Sequence, residues 1–171
     1  MLLMHGAAVG FEDFGVLLVG KGGSGKSTTA LASIGLGWKY GGDDYCLIEP
    51  GGAPKIHSLY CSGKVSAASV DRLPRIRRLF DASTLKIEQK TIAFLYPEWE
   101  DEFITTLPLN AIVTPYVSDR ESPIIKNVSA AKAILSLAPS TIMQMPGEGR
   151  YSLQTLAEIA RITPCYDLML S

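Results

Sequence analysis

Apolar residues along the chain fall into short β-rich runs broken by glycine and proline, and only a few segments carry helical spacing. Residues 2–10 (LLMHGAAVG) predict a strand and 11–14 (FEDF) a turn. GVLLV at 15–19 predicts a buried strand that runs into glycine. STTALASIGLG then predicts a helix, with Leu31, Ile34 and Leu36 as apolar anchors and Gly35 and Gly37 as its stop. YCLIE at 45–49 is the next strand, PGGAP at 50–54 a turn, and KIHSLYCS at 55–62 another short strand. SVDRLPRIRRLF at 69–80 predicts a polar helix carrying Arg72, Arg75, Arg77 and Arg78, with Pro74 near its first turn.

KTIAFLYP at 90–97 and LNAIVTPYV at 109–117 predict strands, the second of them central. NVSAAKAILSLAP at 127–139 has helical periodicity, with Ser129 as cap and Pro139 as stop. STIMQMP at 140–146 reads as a short strand. YSLQTLAEIARI at 151–162 predicts an amphipathic helix with Leu153, Leu156, Ile159 and Ala160 inward, and CYDLML closes with a strand. This order lacks the strict alternation of a doubly wound sheet. It predicts α/β architecture: a single domain over residues 1–171 with a mixed sheet and neither repeat nor linker. A strand-like run at the first residue fits either a compact domain or the remainder of a longer protein.

Composition narrows the partners. Of 171 residues, 47% are apolar and 19% charged, an ordinary globular balance with enough chain for a core. A net charge of −1 gives no reason to expect nucleic acid. No apolar run reaches the ~18 residues of a membrane span, and the opening MLLMHGAAVG lacks the cationic lead of a signal peptide. Cys46, Cys61 and Cys165 are scattered without C-x-x-C pairing, which argues against a zinc site or a disulfide framework. The expectation is a reduced, cytoplasmic protein without membrane or nucleic-acid partners.

The strongest chemical signal is GKGGSGKS at 20–27, a P-loop pattern lying between a predicted strand and a predicted helix. Its glycines permit positive φ and close backbone approach. Successive N–H groups and the helix N-terminus then face phosphates. The candidate nucleotide-binding set is Gly20, Gly22, Gly23, Ser24, Gly25, Lys26, Ser27 and Thr28. Lys26 reaches the β- and γ-phosphates and the Ser27 hydroxyl binds Mg²⁺. Lys21 also permits the K-G-G-x-G-K-S reading of partition-type ATPases. Those proteins place acidic residues at the end of the next strand, whereas here Asp43 and Asp44 precede YCLIE and Gly20 is kept. Lys21 therefore reads as a loop residue.

A helix of about three turns and a short return would bring Asp43 and Asp44 back beside the loop. Two adjacent carboxylates there can divide the labour, one holding Mg²⁺ and the other taking a proton from an incoming hydroxyl. His5 lies in the run before the P-loop strand. If those two runs pair as a hairpin, it reaches the loop mouth and assists the carboxylates.

Together, Leu3-Met4-His5-Gly6, then GVLLVGKGGSGKSTTAL, then GGDDYCLIE resemble the C-terminal kinase domain of HPr kinase/phosphorylase. Residues 3–49 carry nearly all of the match. PYVSDRESPIIKNVSAAKAILSLAPSTIMQMPG is similar to divergent HPr-kinase-like proteins, some of which phosphorylate a peptide serine in lasso-peptide biosynthesis. The resemblance implies a phosphoenolpyruvate-carboxykinase-like P-loop fold and an ATP- and Mg²⁺-dependent serine kinase acting on a peptide or small protein. By the same resemblance Asp43 is the general base, Asp44 and Ser27 handle Mg²⁺, Lys26 with the loop holds the nucleotide, and His5 supports base and phosphate. Arg120 and Arg150 are candidate phosphate or substrate contacts. The family also suggests a homo-oligomer. Two other readings use the same loop: a small-molecule kinase, and a partition-type nucleotide-switch ATPase.

Overall fold

A computed structural model describes residues 1–142 and 149–171, with side chains given outside 138–150. In chain order the first strands are β1 (Leu2–His5), β2 (Ala7–Phe11) and β3 (Phe14–Leu18), followed by helix α1 (Lys26–Ala32). Then come β4 (Lys39–Gly42), β5 (Tyr45–Glu49), β6 (Lys55–Ser58) and β7 (Ser62–Ser66). Short helices α2 (Ala67–Val70) and α3 (Arg77–Ala82) precede β8 (Lys86–Ile87), β9 (Lys90–Phe94), β10 (Thr106–Pro108), β11 (Ala111–Val117) and β12 (Ile124–Asn127). Helices α4 (Ala130–Ile142) and α5 (Gly149–Ile162) and strand β13 (Cys165–Leu170) complete the chain.

The strands form three sheets, with orders β1-β5-β6-β10, β12-β13-β11-β3-β2-β4 and β7-β9-β8. The six-stranded sheet is mixed: β11 runs parallel to β3 and β13, while β2 and β12 pair antiparallel. It is the divider of the molecule. Side chains alternate across a strand, so Leu17 enters one core with β1, β5, α4 and α5. Val16 and Leu18 enter the other, with α1, β7, β9 and the α2–α3 segment. Helix α1 has only 7 residues, too few to persist alone. It is held by burial of Ala30, Leu31 and, just beyond it, Ile34, with about 1.5–3 kcal/mol for each large side chain fully removed from water.

Several expectations change. The run 2–10 is two strands in two different sheets, broken at Gly6. Leu36 is exposed, because α1 ends at Ala32 and the chain turns away through Gly35 and Gly37, which have φ of 73° and 84°. The basic helix of 69–80 is split by the turn around Pro74, and its arginines do not share a face. Arg77 pairs with Asp71 and Asp81, Arg78 with Glu98, and Arg75 donates to the Gly35 carbonyl. Helix α4 runs past Pro139 to Ile142, so 140–142 are helical rather than strand, and 143–146 lie outside the described residues. Packing of α4 against α5 and β1 outweighs the lost proline bond. Ser129 accepts from the Lys132 N–H as expected of a cap, at 3.3 Å. In α5, Leu156, Ile159 and Ala160 are buried but Leu153 faces out. Among the described residues no helix is long and apolar enough to cross a membrane.

Gly15 shows how closely the layers approach. Its N–H donates to Asn110 Oδ1 and its carbonyl accepts from the Asn110 N–H, both at 2.9 Å. A Cβ there would meet the Pro108 carbonyl oxygen at 1.9 Å. Gly15→Ala is therefore expected to lower stability by roughly 1–3 kcal/mol or more, read as a lower urea midpoint with unchanged slope.

Candidate functional site

The glycine loop leaves β3 and enters α1 through three left-handed glycines, Gly20, Gly23 and Gly25, with φ of 134°, 78° and 104°. Those angles turn successive N–H groups inward and bring the loop around the Lys26 side chain. The Lys26 ammonium donates to the carbonyls of Gly20 at 2.7 Å and Lys21 at 3.0 Å. Burial pushes its pKa down, and the nearby Lys90 charge adds to this. Gly22 and Gly23 have open space where a side chain would stand.

Opposite the loop lies a corner made by two chain crossings. After β1 the chain leaves the four-stranded sheet at Gly6 and enters the six-stranded sheet as β2. After β4 it makes the reverse move, through Asp43 and Asp44, to become β5. The crossings touch where the Gly6 N–H donates to the Asp44 carbonyl at 3.2 Å. Gly42 has φ of 123° and Asp44 of 70°. Such a φ is uncommon outside glycine, and aspartate is among the residues that tolerate it.

The corner separates the two carboxylates. Asp44 is half-exposed, with His5 Nε2 3.3 Å from one oxygen and Lys64 Nζ 2.9 Å from the other. His5 first, then Lys64, holds its pKa well below the ordinary carboxylate value. Asp43 is buried. Its Oδ2 accepts a long 3.4 Å bond from the Lys64 N–H, and Oδ1 has no hydrogen-bond partner among the described residues. Burial raises its pKa, with opposing pulls from the Asp44 backbone and the Ser27 hydroxyl.

Loop and corner face one cleft of about 420 Å³. Of the residues expected from sequence, His5, Gly22, Gly23, Gly25, Lys26, Ser27, Thr28, Asp43 and Asp44 line it. Gly20 and Ser24 instead line a hollow behind the loop, together with Lys21. The expected hairpin forms between β2 and β3, with Ala7 opposite Leu18 just before the loop, and His5, two residues earlier, is fixed beside it by the pairing of β1 with β5, opposite Tyr45. Arg120 is exposed on the β11–β12 connection and is not a lining residue. The Arg150 side chain lies outside the described residues. Sequence reading missed Lys64, Ser66, Arg72 and Lys90 as cleft residues. Arg72 had been noted only as part of a basic helix. SGKVS and the start of KTIAF carry no motif, so the pairing of β7 with β9 alone places the two lysines.

The fold and cleft define a mixed α/β protein with a strand–glycine loop–helix unit facing an acidic corner. The solved structure of the HPr(Ser) kinase/phosphatase from Coxiella burnetii is similar, with a TM-score of 0.53 and 11% sequence identity. The match covers 99% of this chain and 85% of that one. This is a likeness of fold. No protein-family profile matches the chain, and no curated protein matches it by sequence.

The contrast between the carboxylates has a measurable consequence. Because the folded pKa of Asp44 is lowered, its contribution to stability is full above the ordinary carboxylate value of about 3.9. It is lost as pH falls from there through the lowered folded value. Asp44→Asn should thus be less stable than the parent at neutral pH, with the gap closing in strong acid. Urea midpoints taken across the acid range check this, and a gap that persists unchanged into strong acid would contradict it.

Proposed function

We propose that this protein is an ATP-dependent phosphotransferase that passes the γ-phosphoryl group to a serine hydroxyl of a peptide or small protein. The observation that carries the reading is Asp43: a buried carboxylate with one oxygen unpartnered among the described residues, in the same cleft as the glycine loop, Lys26 and Ser27. A carboxylate tied up in ion pairs is a poor proton acceptor. Asp44 is so tied and Asp43 is not.

In this reading the loop N–H groups and Lys26 hold the nucleotide phosphates, and Lys26 exchanges its loop carbonyls for phosphate oxygens. Lys90, close enough to perturb Lys26, is the second cation on the transferring group. Asp43 accepts the acceptor hydroxyl proton as the new oxygen–phosphorus bond forms. The bond from γ-phosphorus to the bridging oxygen breaks, and its electron pair leaves on the β-phosphate of ADP. His5 and Lys64 hold Asp44 in place beside this centre. Ser27 and Asp44 would hold Mg²⁺. One hydroxyl and one carboxylate suit an ion that keeps several waters and shares phosphate oxygens. When bound, the ion neutralises charge on those oxygens. The solved HPr(Ser) kinase/phosphatase with a similar fold supports the reaction class.

Labelled γ-phosphate transfer with mapping of the product tests the reading. Asp43→Asn should cut transfer roughly 10²–10⁴-fold while sparing nucleotide affinity, whereas Lys26→Ala should weaken both. Full transfer by Asp43→Asn would remove the base. ATP consumption without a phosphorylated peptide would favour a nucleotide switch, and label on a metabolite a small-molecule kinase.

The raised pKa of Asp43 sets a pH dependence. The base works only when ionised, so kcat/KM rises with pH. Its acid limb should sit above the ordinary carboxylate value of about 3.9. Residual transfer by Asp43→Asn should lack that limb.

A further inference from the structure

Among the described residues, strand β7 pairs with β9 and with no strand on its other side. Its register and the bond from the Leu95 N–H to the Cys61 carbonyl place the backbone groups of Gly63 and Val65 toward β9. Those of Ser62, Lys64 and Ser66 then point to the free edge, because the groups alternate along an antiparallel strand. Two direct contacts agree: the Tyr40 hydroxyl donates to the Ser62 carbonyl at 2.9 Å, and the Lys64 N–H donates to Asp43. Of the groups left on that edge, the Ser62 N–H lies away from the cleft and two belong to cleft residues. The Lys64 carbonyl and the Ser66 N–H have no hydrogen-bond partner within the described residues. Both residues line the cleft.

We propose that this edge docks the acceptor as an extended peptide strand running parallel to β7; the proposal rests on the serine-kinase reading above. An antiparallel neighbour needs both groups of one residue, but the Lys64 N–H is taken by Asp43 and the Ser66 carbonyl opens α2. A carbonyl and an N–H two residues apart is the parallel pattern. One peptide residue gives its N–H to the Lys64 carbonyl and receives the Ser66 N–H at its own carbonyl. The residue before it lies beside Lys64, whose N–H holds Asp43. That residue is the acceptor serine, and its hydroxyl meets the open Asp43 oxygen. Main-chain pairing supplies the grip and side-chain contacts the choice, as in other strand-addition complexes.

The charge of the rim states the choice. Arg72 lies on the cleft wall and, unlike Arg75, Arg77 and Arg78, has no partner within the described residues. Lys64 and Lys90 line the same wall. Lys64 is already paired with Asp44 and Lys90 is assigned to the phosphoryl group, so an acidic residue flanking the serine fits Arg72.

Fluorescein-labelled Ala-Asp-Ser-Asp-Ala-Ala is the probe, titrated by anisotropy against the full chain with a non-hydrolysable ATP analogue and Mg²⁺. Methylating the backbone nitrogen of the residue after the serine should weaken binding at least about tenfold. Methylating the serine nitrogen, which points away from the edge, should change it little. Ser66→Pro removes the donor without distorting the chain, since Ser66 already has φ of −72° and ψ of 156°. It should raise the peptide Kd by at least about tenfold more than Ser66→Ala, which deletes only the hydroxyl. Nucleotide affinity, measured separately, reports that the fold is intact. Equal effects of the two methylations, equal effects of proline and alanine, or no binding of the probe would each overturn the proposal. Binding with the expected pattern but no phosphate transfer to the same peptide when ATP replaces the analogue would keep the docking edge and remove the kinase reading.

Discussion

The structure turns on a single crossing. Two strands change sheets at the same point, and one hydrogen bond from the Gly6 N–H to the Asp44 carbonyl links them there. A backbone that passes between sheets must satisfy its polar groups away from either ladder. Here the two crossings satisfy each other. The arrangement also decides which side chains meet at the bend. His5 is the last residue of β1, and Asp43 and Asp44 fill the two places between β4 and β5. Their convergence follows from the sheet exchange.

That bend makes chemically different groups of two adjacent and identical residues. Burial acts on Asp43 and ion pairing on Asp44, and the two effects move their pKa values in opposite directions. Titratable groups pushed apart by their surroundings are the usual basis for dividing roles among acids and bases. The small β7-β9-β8 sheet completes the division. It supplies Lys64 to Asp44 and the Lys64 N–H to Asp43, and it closes the far wall of the cleft. Its Gly63 packs on Leu31 of α1, where a Cβ would come within 2.6 Å, so the wall and the glycine loop are held at a fixed spacing.

Much of the loop side was legible in the sequence. The glycines of GKGGSGKS mark the tight loop because the left-handed φ at Gly20, Gly23 and Gly25 favours glycine, and a strand and helix flank it as the pattern requires. The strand at 45–49, the central strand at 111–117 and the helices capped by Ser129 and centred on Leu156 also followed from periodicity. The wall opposite did not. β7 and β4 are short and polar or glycine-rich, so no alternation marks them. Arg72 was read as one of four similar arginines, and only the break around Pro74 distinguished it. The hairpin expected before the loop forms between β2 and β3, but the break at Gly6, inside one apolar run, which passes the chain into a second sheet and sets His5 opposite Tyr45, carried no signal.

The sequence by itself determined a part of the local pieces: the strands at 45–49 and 111–117, the helices around Ser129 and Leu156, where the glycine loop stands, and that two carboxylates follow it closely. These depend on spacing and residue type over a few turns of chain. Only the tertiary structure decided that His5 reaches Asp44 through β5, that Asp43 is the buried member of the pair, and that Lys64, Lys90 and Arg72 face the loop. Those facts depend on strand pairing between distant segments and on the water excluded by it. Neither pairing nor burial is a property of any single stretch of residues.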